Sequence, residues 1–253
     1  MIKHIIFDAD DTLFDFQKAE GNAKSRINEV LKTHALDLDT FWNRFNRVAP
    51  ALFRQFADGF ITIDEYRFHR FADVLEANHG KICELTSELN RIYIQEITHK
   101  IELFADAIPM FKVLGAKEIE AVILTNGPSD SQRAKFKNRG LSRFIQSIYI
   151  GEEMGFFKPN REAFEYVLRD LGAANSEVLM VGDSIEDDIH GAERAGIKAI
   201  LIDRRNRYSA YTGTRIAFLS QLIELPSVGA ISESRPSFET EFFLQNSVSK
   251  TQQ

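Results

Sequence analysis

Short runs of β-branched and bulky apolar residues alternate with helical patterns along most of this chain, and this alternation constrains the fold more than any other feature. The runs typical of buried strands are 5–7, 121–124, 178–181 and 199–202, with a weaker one at 147–150. The helical patterns between them are 106–114, 131–139, 161–171 and 187–195. Strands that alternate with helices indicate βαβ units, so the sequence predicts an α/β fold with a parallel sheet.

The stretch 17–100 differs from the rest because it shows helical periodicity without a strand pattern. Apolar residues recur at helical spacing around Pro50, which is expected to kink or split its helix. Thr62 and Glu65 form a capping-box pattern before another helix. We interpret the stretch as a helical bundle inserted after the first strand. The predicted boundaries are 1–16 and 101–228 for an α/β core, 17–100 for a helical domain, and 229–253 for a mobile C-terminal tail.

Charge and cysteine content narrow the classes of protein to which the chain can belong. A formal net charge of -6 disfavours a large basic face, so we expect no nucleic-acid polymer as a partner. The single cysteine, Cys83, fits a reducing compartment, and we expect a cytoplasmic protein. The apolar runs are far shorter than the roughly 20 residues that span a bilayer, so we expect neither a membrane partner nor a signal peptide. The sequence leaves open whether the chain is a monomer or a dimer.

Clusters of polar residues follow three of the predicted strands, and a further cluster lies in a loop. They are Asp8-Ala9-Asp10-Asp11-Thr12, Thr125-Asn126-Gly127, Lys158-Pro159, and Gly182-Asp183-Ser184 with Asp187 and Asp188. In open α/β sheets, ligands bind at the carboxyl ends of the strands. We therefore expect all of these clusters to converge on one crevice.

Asp8 and Asp10 are the candidate catalytic pair. Two residues apart in extended backbone, their side chains leave on the same side at a spacing of roughly 6 to 7 Å. Like charges this close raise one pKa unless a cation intervenes. This favours an ionised Asp8 as the nucleophile that attacks phosphorus and a protonated Asp10 as the acid for the leaving oxygen. The alternative is that Asp10 and Asp11 only cap the next helix or fill a turn.

Asp183 supplies a further carboxylate, and hard oxygen ligands of this kind suit Mg²⁺. Asp187 and Asp188 lie about one helical turn later in the chain. If Ser184 caps a helix, the helix macrodipole alone also favours acids at these positions, which leaves the role of Asp187 open. Gly182 either permits a close approach to the backbone or only turns the chain.

Thr125, Asn126 and Gly127 lie at a predicted strand-to-helix corner, where a hydroxyl and backbone N–H groups can hold a phosphoryl oxygen. In isolation, such a tripeptide is more often only a turn. Lys158 is by default a solvated lysine, yet a site with a dianionic phosphate and several carboxylates needs another cation beside Mg²⁺. These residues complete a predicted site for a small phosphorylated metabolite.

The ordered clusters resemble the motifs of the haloacid dehalogenase (HAD) superfamily, and the match runs from the first residue to about residue 225. The resemblance implies a Rossmann-like core with an inserted helical cap and catalysis through an aspartyl phosphate. The implied magnesium ligands are Asp8, the main-chain carbonyl of Asp10, and Asp183. Asp188 is preferred to Asp187 for the last acidic position.

Asp10 narrows the implied activity, because dehalogenases and phosphonatases of the superfamily typically lack this second acid. The resemblance therefore implies a phosphatase or phosphomutase. Asp11 stands where the family usually has Gly, a departure seen in several phosphatase branches. Three phrases are also similar to the bacterial noncanonical pyrimidine 5'-nucleotidases: Asp8 through Phe14, Gly155-Phe156-Phe157-Lys158-Pro159, and Phe53-Arg54-Gln55-Phe56 before Gly59.

The aromatic-rich stretch 17–100 bears on the substrate. Its aromatic faces could stack a base, and Arg54 and Arg70 could contact ribose or base oxygens, so we expect pyrimidine nucleoside monophosphates as substrates. At helical spacing, however, most of these aromatics are expected to form the core of the cap. The alternatives are a phosphatase of a sugar phosphate or phosphoglycolate-like metabolite and a receiver-like signalling module, which the length of the chain disfavours.

Overall fold

The computed structural model describes residues 1–75, 81–225 and 228. The predicted tail, 229–253, lies outside these described residues. Within them, every helix is too short or too polar to cross a membrane. The described chain divides into two compact units. Unit 1 comprises Met1–Asp15, Leu103–Gly127 and the described residues from Phe136 onward, and unit 2 comprises Phe16–Glu102 and Pro128–Lys135.

Unit 1 is built on a six-stranded sheet whose described strand pairs are all parallel. The strands are β1 (His4–Phe7), β2 (Glu120–Thr125), β3 (Ser147–Ile150), β4 (Val178–Gly182), β5 (Lys198–Ile202) and β6 (Arg215–Ile216). Their order is β3-β2-β1-β4-β5-β6. The strand order therefore reverses between β1 and β4, and ligands of such sheets bind outside the carboxyl ends at this switch point.

The predicted parallel α/β fold is confirmed, and the limits of the five predicted strands lie within one residue of those observed. The central strands are buried on both faces, which explains why they are continuous apolar runs without alternation. β6 was not predicted, because its two residues are too few to form a periodic pattern.

Unit 2 is helical, as predicted for the insert after the first strand. It contains α1 (Phe16–Thr33), α2 (Leu38–Ala57), α3 (Ile63–Leu75), α4 (Lys81–Ile94) and a π-helical segment, Gln95–Lys100. Its core is aromatic, and Phe45 packs on Phe71 with ring centroids 5.1 Å apart. Several aromatic residues offered by the sequence as candidates for base stacking are therefore buried in this core: Phe41, Phe45 and Phe71.

Two local predictions for unit 2 have different outcomes. Thr62 and Glu65 form the predicted capping box, because the Glu65 N–H donates to Thr62 Oγ1 (3.2 Å) and the Thr62 N–H donates to Glu65 Oε2 (2.7 Å). Of the two effects predicted for Pro50, a kink or a split, the split does not occur, since α2 continues through it. A proline removes one N–H donor from the helix, and the buried side chains of Phe45 and Phe56 on either side hold α2 in place.

Further helices follow the segment Gln95–Lys100 in the chain: α5 (Ala107–Ala116), α6 (Ser129–Asn138), α7 (Gly151–Met154), α8 (Arg161–Leu171) and α9 (Gly191–Arg194). α8 buries its apolar face in the core around the sheet, including Phe164 and Val167. The helix predicted at 187–195 is observed as a π-helical segment, Ile185–His190, followed by α9. The predicted helical domain, 17–100, differs from unit 2 mainly in Pro128–Lys135, which groups with unit 2.

Candidate active site

The turn after β1 carries Asp8 and Asp10. The Asp8 N–H donates to the Val181 carbonyl (2.9 Å), so the pairing of β1 with β4 continues one residue beyond the strand. The chain then turns at Asp11, whose φ of 59° lies in the left-handed region that favours glycine and that Asp tolerates better than most residues. The Asp11 N–H donates to the Phe14 carbonyl (2.7 Å), which closes the turn.

A cleft in unit 1 is lined by side chains from every polar cluster singled out in the sequence. The lining residues are Asp8, Asp10, Asp11, Thr125, Asn126, Gly127, Lys158, Asp183, Ser184, Asp187 and Asp188. The strand order explains this arrangement, because β1 has β2 and β4 as its neighbours and the loops after all three strands open at one edge.

Lys158 is buried between two carboxylates. Its Nζ donates to Asp8 Oδ1 (2.7 Å) and to Asp188 Oδ1 (2.6 Å). The Asn126 side chain fixes the backbone at this point, because its Oδ1 accepts from the Lys158 N–H (2.8 Å) and its Nδ2 donates to the Lys158 carbonyl (2.7 Å). The sequence analysis considered only the backbone of Asn126 and missed this clamp, since no local pattern links the two residues.

Asp188 packs directly against Gly182. A Cβ at Gly182 would lie 2.2 Å from Asp188 Oδ2, so glycine is required here by a close approach and not by a turn. The same Oδ2 accepts a hydrogen bond from the Ser184 N–H (3.0 Å). Ser184 also caps the π-helical segment, because its Oγ accepts from the Asp187 N–H (3.1 Å). Of the two neighbouring acids, Asp188 is the buried one and the one that contacts Lys158.

Asp8, Asp183 and Asp188 each offer one carboxylate oxygen, and these oxygens lie within 4.8 Å of one another. Burial raises the pKa of Asp8 well above its ordinary value; Lys158 opposes this rise, and Asp188 and Asp183 add to it. Burial also raises the pKa of Asp183 to about 7. Burial acts to lower the pKa of Lys158, but Asp188 and Asp8 outweigh it and raise that pKa. A divalent cation would balance the excess of buried negative charge.

Thr125 ends β2 with its side chain buried in the cleft. Its Oγ1 accepts a hydrogen bond from the Gly127 N–H (3.3 Å), which shapes the corner between β2 and the following helix. A hydroxyl that accepts through its oxygen can still donate its hydrogen. Thr125 can therefore donate to an anion in the cleft while it holds the turn.

The loop after β5 carries arginines to which the sequence analysis gave no role. Arg205 donates to Asp11 Oδ1 (3.2 Å) and also contacts Asp15. Arg207 donates to Asp183 Oδ2 (2.9 Å). In the sequence, these contacts are indicated only by the basic run Arg204-Arg205-Asn206-Arg207, and nothing in that run shows which acids its arginines pair with.

The two cap arginines from the sequence analysis lie in unit 2. Arg54 is exposed near the end of α2. Arg70 is 3% exposed; its Nε donates to Asn90 Oδ1 (2.9 Å), and its guanidinium lies 4.5 Å from the centroid of the Tyr93 ring. Arg70 therefore forms part of the core of unit 2, and Arg54 is the one of these two arginines that is exposed on its surface.

The fold agrees with comparisons to known proteins. The haloacid dehalogenase-like hydrolase family matches residues 2–196, and the chain belongs to this family. The HAD-hydrolase YfnB of Bacillus subtilis is 31% identical over 196 residues, which cover 76% of this chain and 80% of YfnB. The magnesium-bound structure of YfnB matches with a TM-score of 0.71 and 26% identity, covering 88% of this chain and 97% of that one.

Two further relatives have names that state a substrate. The pyrimidine 5'-nucleotidase YjjG of Escherichia coli is 29% identical over 207 residues, which cover 80% of this chain and 87% of YjjG. The glyceraldehyde 3-phosphate phosphatase of Methanopyrus kandleri is 27% identical over 210 residues, which cover 82% of this chain and 86% of that enzyme.

Proposed function

We propose that this HAD-family hydrolase is a magnesium-dependent phosphomonoesterase that forms an aspartyl phosphate on Asp8 and prefers pyrimidine nucleoside 5'-monophosphates. The observation that carries the proposal is the contact of Lys158 with both Asp8 and Asp188, at 2.7 and 2.6 Å, inside a group of three carboxylates. A fixed, buried cation of this kind stabilises the additional negative charge that a phosphoryl group brings.

The carboxylates fit a magnesium ion, which prefers hard oxygen ligands and completes its shell with water and phosphate oxygens. Asp8 and Asp183 would hold it, together with the main-chain carbonyl of Asp10 that the family resemblance implies. Asp188 accepts hydrogen bonds from Lys158 and from the Ser184 N–H, so its role would be to balance the positive charge of Lys158 and to hold that side chain in place. When bound, the ion would neutralise charge on the carboxylates and on the phosphoryl oxygens.

Asp8 is the proposed nucleophile. Its backbone is paired with β4 and its carboxylate is held by Lys158, so its position is restricted before substrate arrives. The carboxylate oxygen forms a bond to phosphorus while the bond from phosphorus to the leaving oxygen breaks. Burial raises the pKa of Asp8 overall; the positive charge of Lys158 opposes that rise, and a bound divalent cation would oppose it further and favour the ionised, nucleophilic form.

Asp10 is the proposed general acid and base. It lines the same cleft, and it would donate a proton to the leaving oxygen and then accept one from the water that hydrolyses the aspartyl phosphate. The hydroxyl of Thr125 and the backbone N–H of Asn126 would hold phosphoryl oxygens during both steps. The roles of these residues follow from the family motifs and from their common position on the cleft.

The similarity to the E. coli pyrimidine 5'-nucleotidase supports nucleoside monophosphates as the substrate class. Unit 2 retains exposed aromatic side chains that could stack on a base, namely Phe60, which is 79% exposed, and Phe68, which is 39% exposed. Arg54 is exposed as well and could contact base or ribose oxygens.

A phosphatase of a small sugar or triose phosphate is the second candidate. The similarity to the M. kandleri glyceraldehyde 3-phosphate phosphatase favours it. The burial of Phe41, Phe45 and Phe71 in the core of unit 2 also favours it, because this burial removes several aromatic faces from contact with a base.

The test compares kcat/KM for dUMP, dTMP and UMP with kcat/KM for glyceraldehyde 3-phosphate, hexose phosphates and phosphoglycolate at saturating Mg²⁺. We expect the pyrimidine nucleotides to be preferred by tenfold or more, about 1.4 kcal/mol of transition-state discrimination. A preference of tenfold or more in the opposite direction, for the sugar phosphates, would replace the nucleotidase proposal with the second candidate. Phosphate release without added divalent cation would overturn the metal requirement for either one.

A further inference from the structure

The segment 203–208, which we call the arginine loop, leaves the end of β5 and is held by a buried carboxylate. Asp203 is 3% exposed and accepts hydrogen bonds from the backbone N–H groups of Arg207 and Tyr208, both at 2.8 Å. The guanidinium of Arg215 donates to the same carboxylate at 2.8 Å. The backbone of Arg207 is therefore fixed by contacts that do not involve its own side chain.

The side chain of Arg207 extends from this fixed backbone to Asp183. Its Nη2 donates to Asp183 Oδ2 at 2.9 Å, and the side chains are 38% and 20% exposed respectively. The guanidinium also lies 5.4 Å from the centroid of the Tyr208 ring. Asp183 is the carboxylate that completes the cluster with Asp8 and Asp188, so one of its oxygens is held by a protein cation while the group faces the cluster.

We propose that Arg207 balances the charge of Asp183 and competes with a divalent cation for that carboxylate, so that it weakens metal binding. This inference rests on the metal site of the proposed function. Lys158 contacts Asp8 and Asp188, whereas Arg207 is the cation that pairs with Asp183 within the described part of the chain.

The electrostatic reasoning gives the inference a direction. A monovalent cation within hydrogen-bond distance of a ligand carboxylate repels an incoming dication, and it must give up or share its hydrogen bond when the carboxylate reorients toward the metal. If Arg207 only oriented Asp183, its loss would free the carboxylate to rotate and would weaken metal binding. The two roles therefore predict opposite changes in affinity.

The experiment measures Mn²⁺ binding to the full chain by electron paramagnetic resonance of the free ion, because Mn²⁺ suits the same oxygen ligands as Mg²⁺. The variants are Arg207→Gln, which removes the charge and keeps the backbone N–H that Asp203 accepts, and Arg207→Lys, which keeps the charge. Arg194→Gln is the matched control, since Arg194 is 47% exposed and pairs with Glu186, an acid outside the cluster.

We expect Arg207→Gln to bind Mn²⁺ about three- to thirtyfold more tightly than wild type, and Arg207→Lys and Arg194→Gln to stay within about twofold of it. Unchanged or weaker binding by Arg207→Gln would overturn the inference. Asp183→Asn is the reference for the metal site itself. If Asp183→Asn bound Mn²⁺ as tightly as wild type, the proposed metal site itself would be wrong. If only Arg207→Gln left binding unchanged, the metal site would stand and the role of Arg207 would be wrong.

Discussion

Asp8 and Lys158 are in direct contact, and this contact indicates what a substitution of the aspartate should do. Asp8→Asn keeps an oxygen that can accept from Lys158, 2.7 Å away in the native protein, but an amide is not a nucleophile toward phosphorus. We expect phosphatase activity below about 1% of wild type. Because burial raises the pKa of Asp8, a neutral amide should leave the melting temperature in chelator unchanged or higher.

The control for Asp8→Asn is Asp15→Asn. Asp15 lies close to the turn after β1, but it does not line the cleft. This variant should keep the wild-type rate of phosphate release. Turnover of more than a few per cent by Asp8→Asn, measured with the same substrates, would remove Asp8 from the role of nucleophile.

The proposed role of Asp10 gives a prediction about leaving groups. Asp10→Asn removes the proton donor, and a general acid matters most when the leaving oxygen is strongly basic. We expect kcat to fall about 10²- to 10⁴-fold for alkyl phosphates such as nucleotides, and markedly less for p-nitrophenyl phosphate. Equal losses for both kinds of ester would show that Asp10 does not protonate the leaving group.

At the residue scale, most of the cleft-lining residues were predictable because they follow a strand end, and strand ends have a local pattern, whereas Lys158 lies in a loop and was predicted from charge balance. It did not identify the clamp of Lys158 by Asn126 or the pairing of Asp183 with Arg207. Those contacts join residues that are distant in the chain, and each depends on how two loops pack. An exposed basic residue has no local signal that selects one acid over another.

Gly182 makes the end of β4 sensitive to a single methyl group. A Cβ there would lie 2.2 Å from Asp188 Oδ2, and the Asp188 carboxylate cannot move away without leaving Lys158. We expect Gly182→Ala to lower the free energy of unfolding by about 1 to 3 kcal/mol, as overpacked cores do, and to impair phosphate release as well. Urea unfolding and a phosphate-release assay measure the two effects.

Gly115→Ala is the matched control for Gly182→Ala, because Gly115 lies in α5 and a Cβ there would have nothing within 4 Å. Alanine is favoured over glycine in a helix by up to about 1 kcal/mol, so this variant should be slightly more stable and fully active. A stable and active Gly182→Ala would show that Asp188 does not need its observed position.

At the element scale, the strands were predictable because strands buried on both faces leave uninterrupted apolar runs. The helical insert was predictable from its periodicity. The helical turns that follow β4 were not predicted correctly. The expected α-helix begins as the π-helical segment Ile185–His190, in which the Ile189 N–H donates to the Ser184 carbonyl, five residues earlier in the chain. Apolar periodicity does not distinguish these two hydrogen-bond patterns over so short a segment.

At the scale of the whole molecule, the parallel sheet gathers acidic residues from distant parts of the chain. Asp8 follows β1 and Asp183 follows β4, and these strands are neighbours at the centre of the sheet. Folding therefore brings three carboxylates within 4.8 Å and buries most of their surface. Burial and repulsion both favour bound protons on such groups, so the stability of the metal-free protein should depend on pH.

The sign of this dependence follows from Asp183, whose folded-state pKa is raised to about 7 from an ordinary value of 3.8. A group with a raised folded-state pKa contributes stability that is fully present below its unfolded pKa and is lost as pH rises through the folded one. We expect the melting temperature of wild type in chelator to fall between pH 6 and pH 8 relative to that of Asp183→Asn, because the variant has no ionisable group at position 183. Saturating Mg²⁺ should stabilise wild type more at pH 8 than at pH 6, because the ion binds ionised carboxylates. Parallel pH profiles of wild type and Asp183→Asn in chelator would contradict the raised pKa of Asp183 and the buried repulsion behind it.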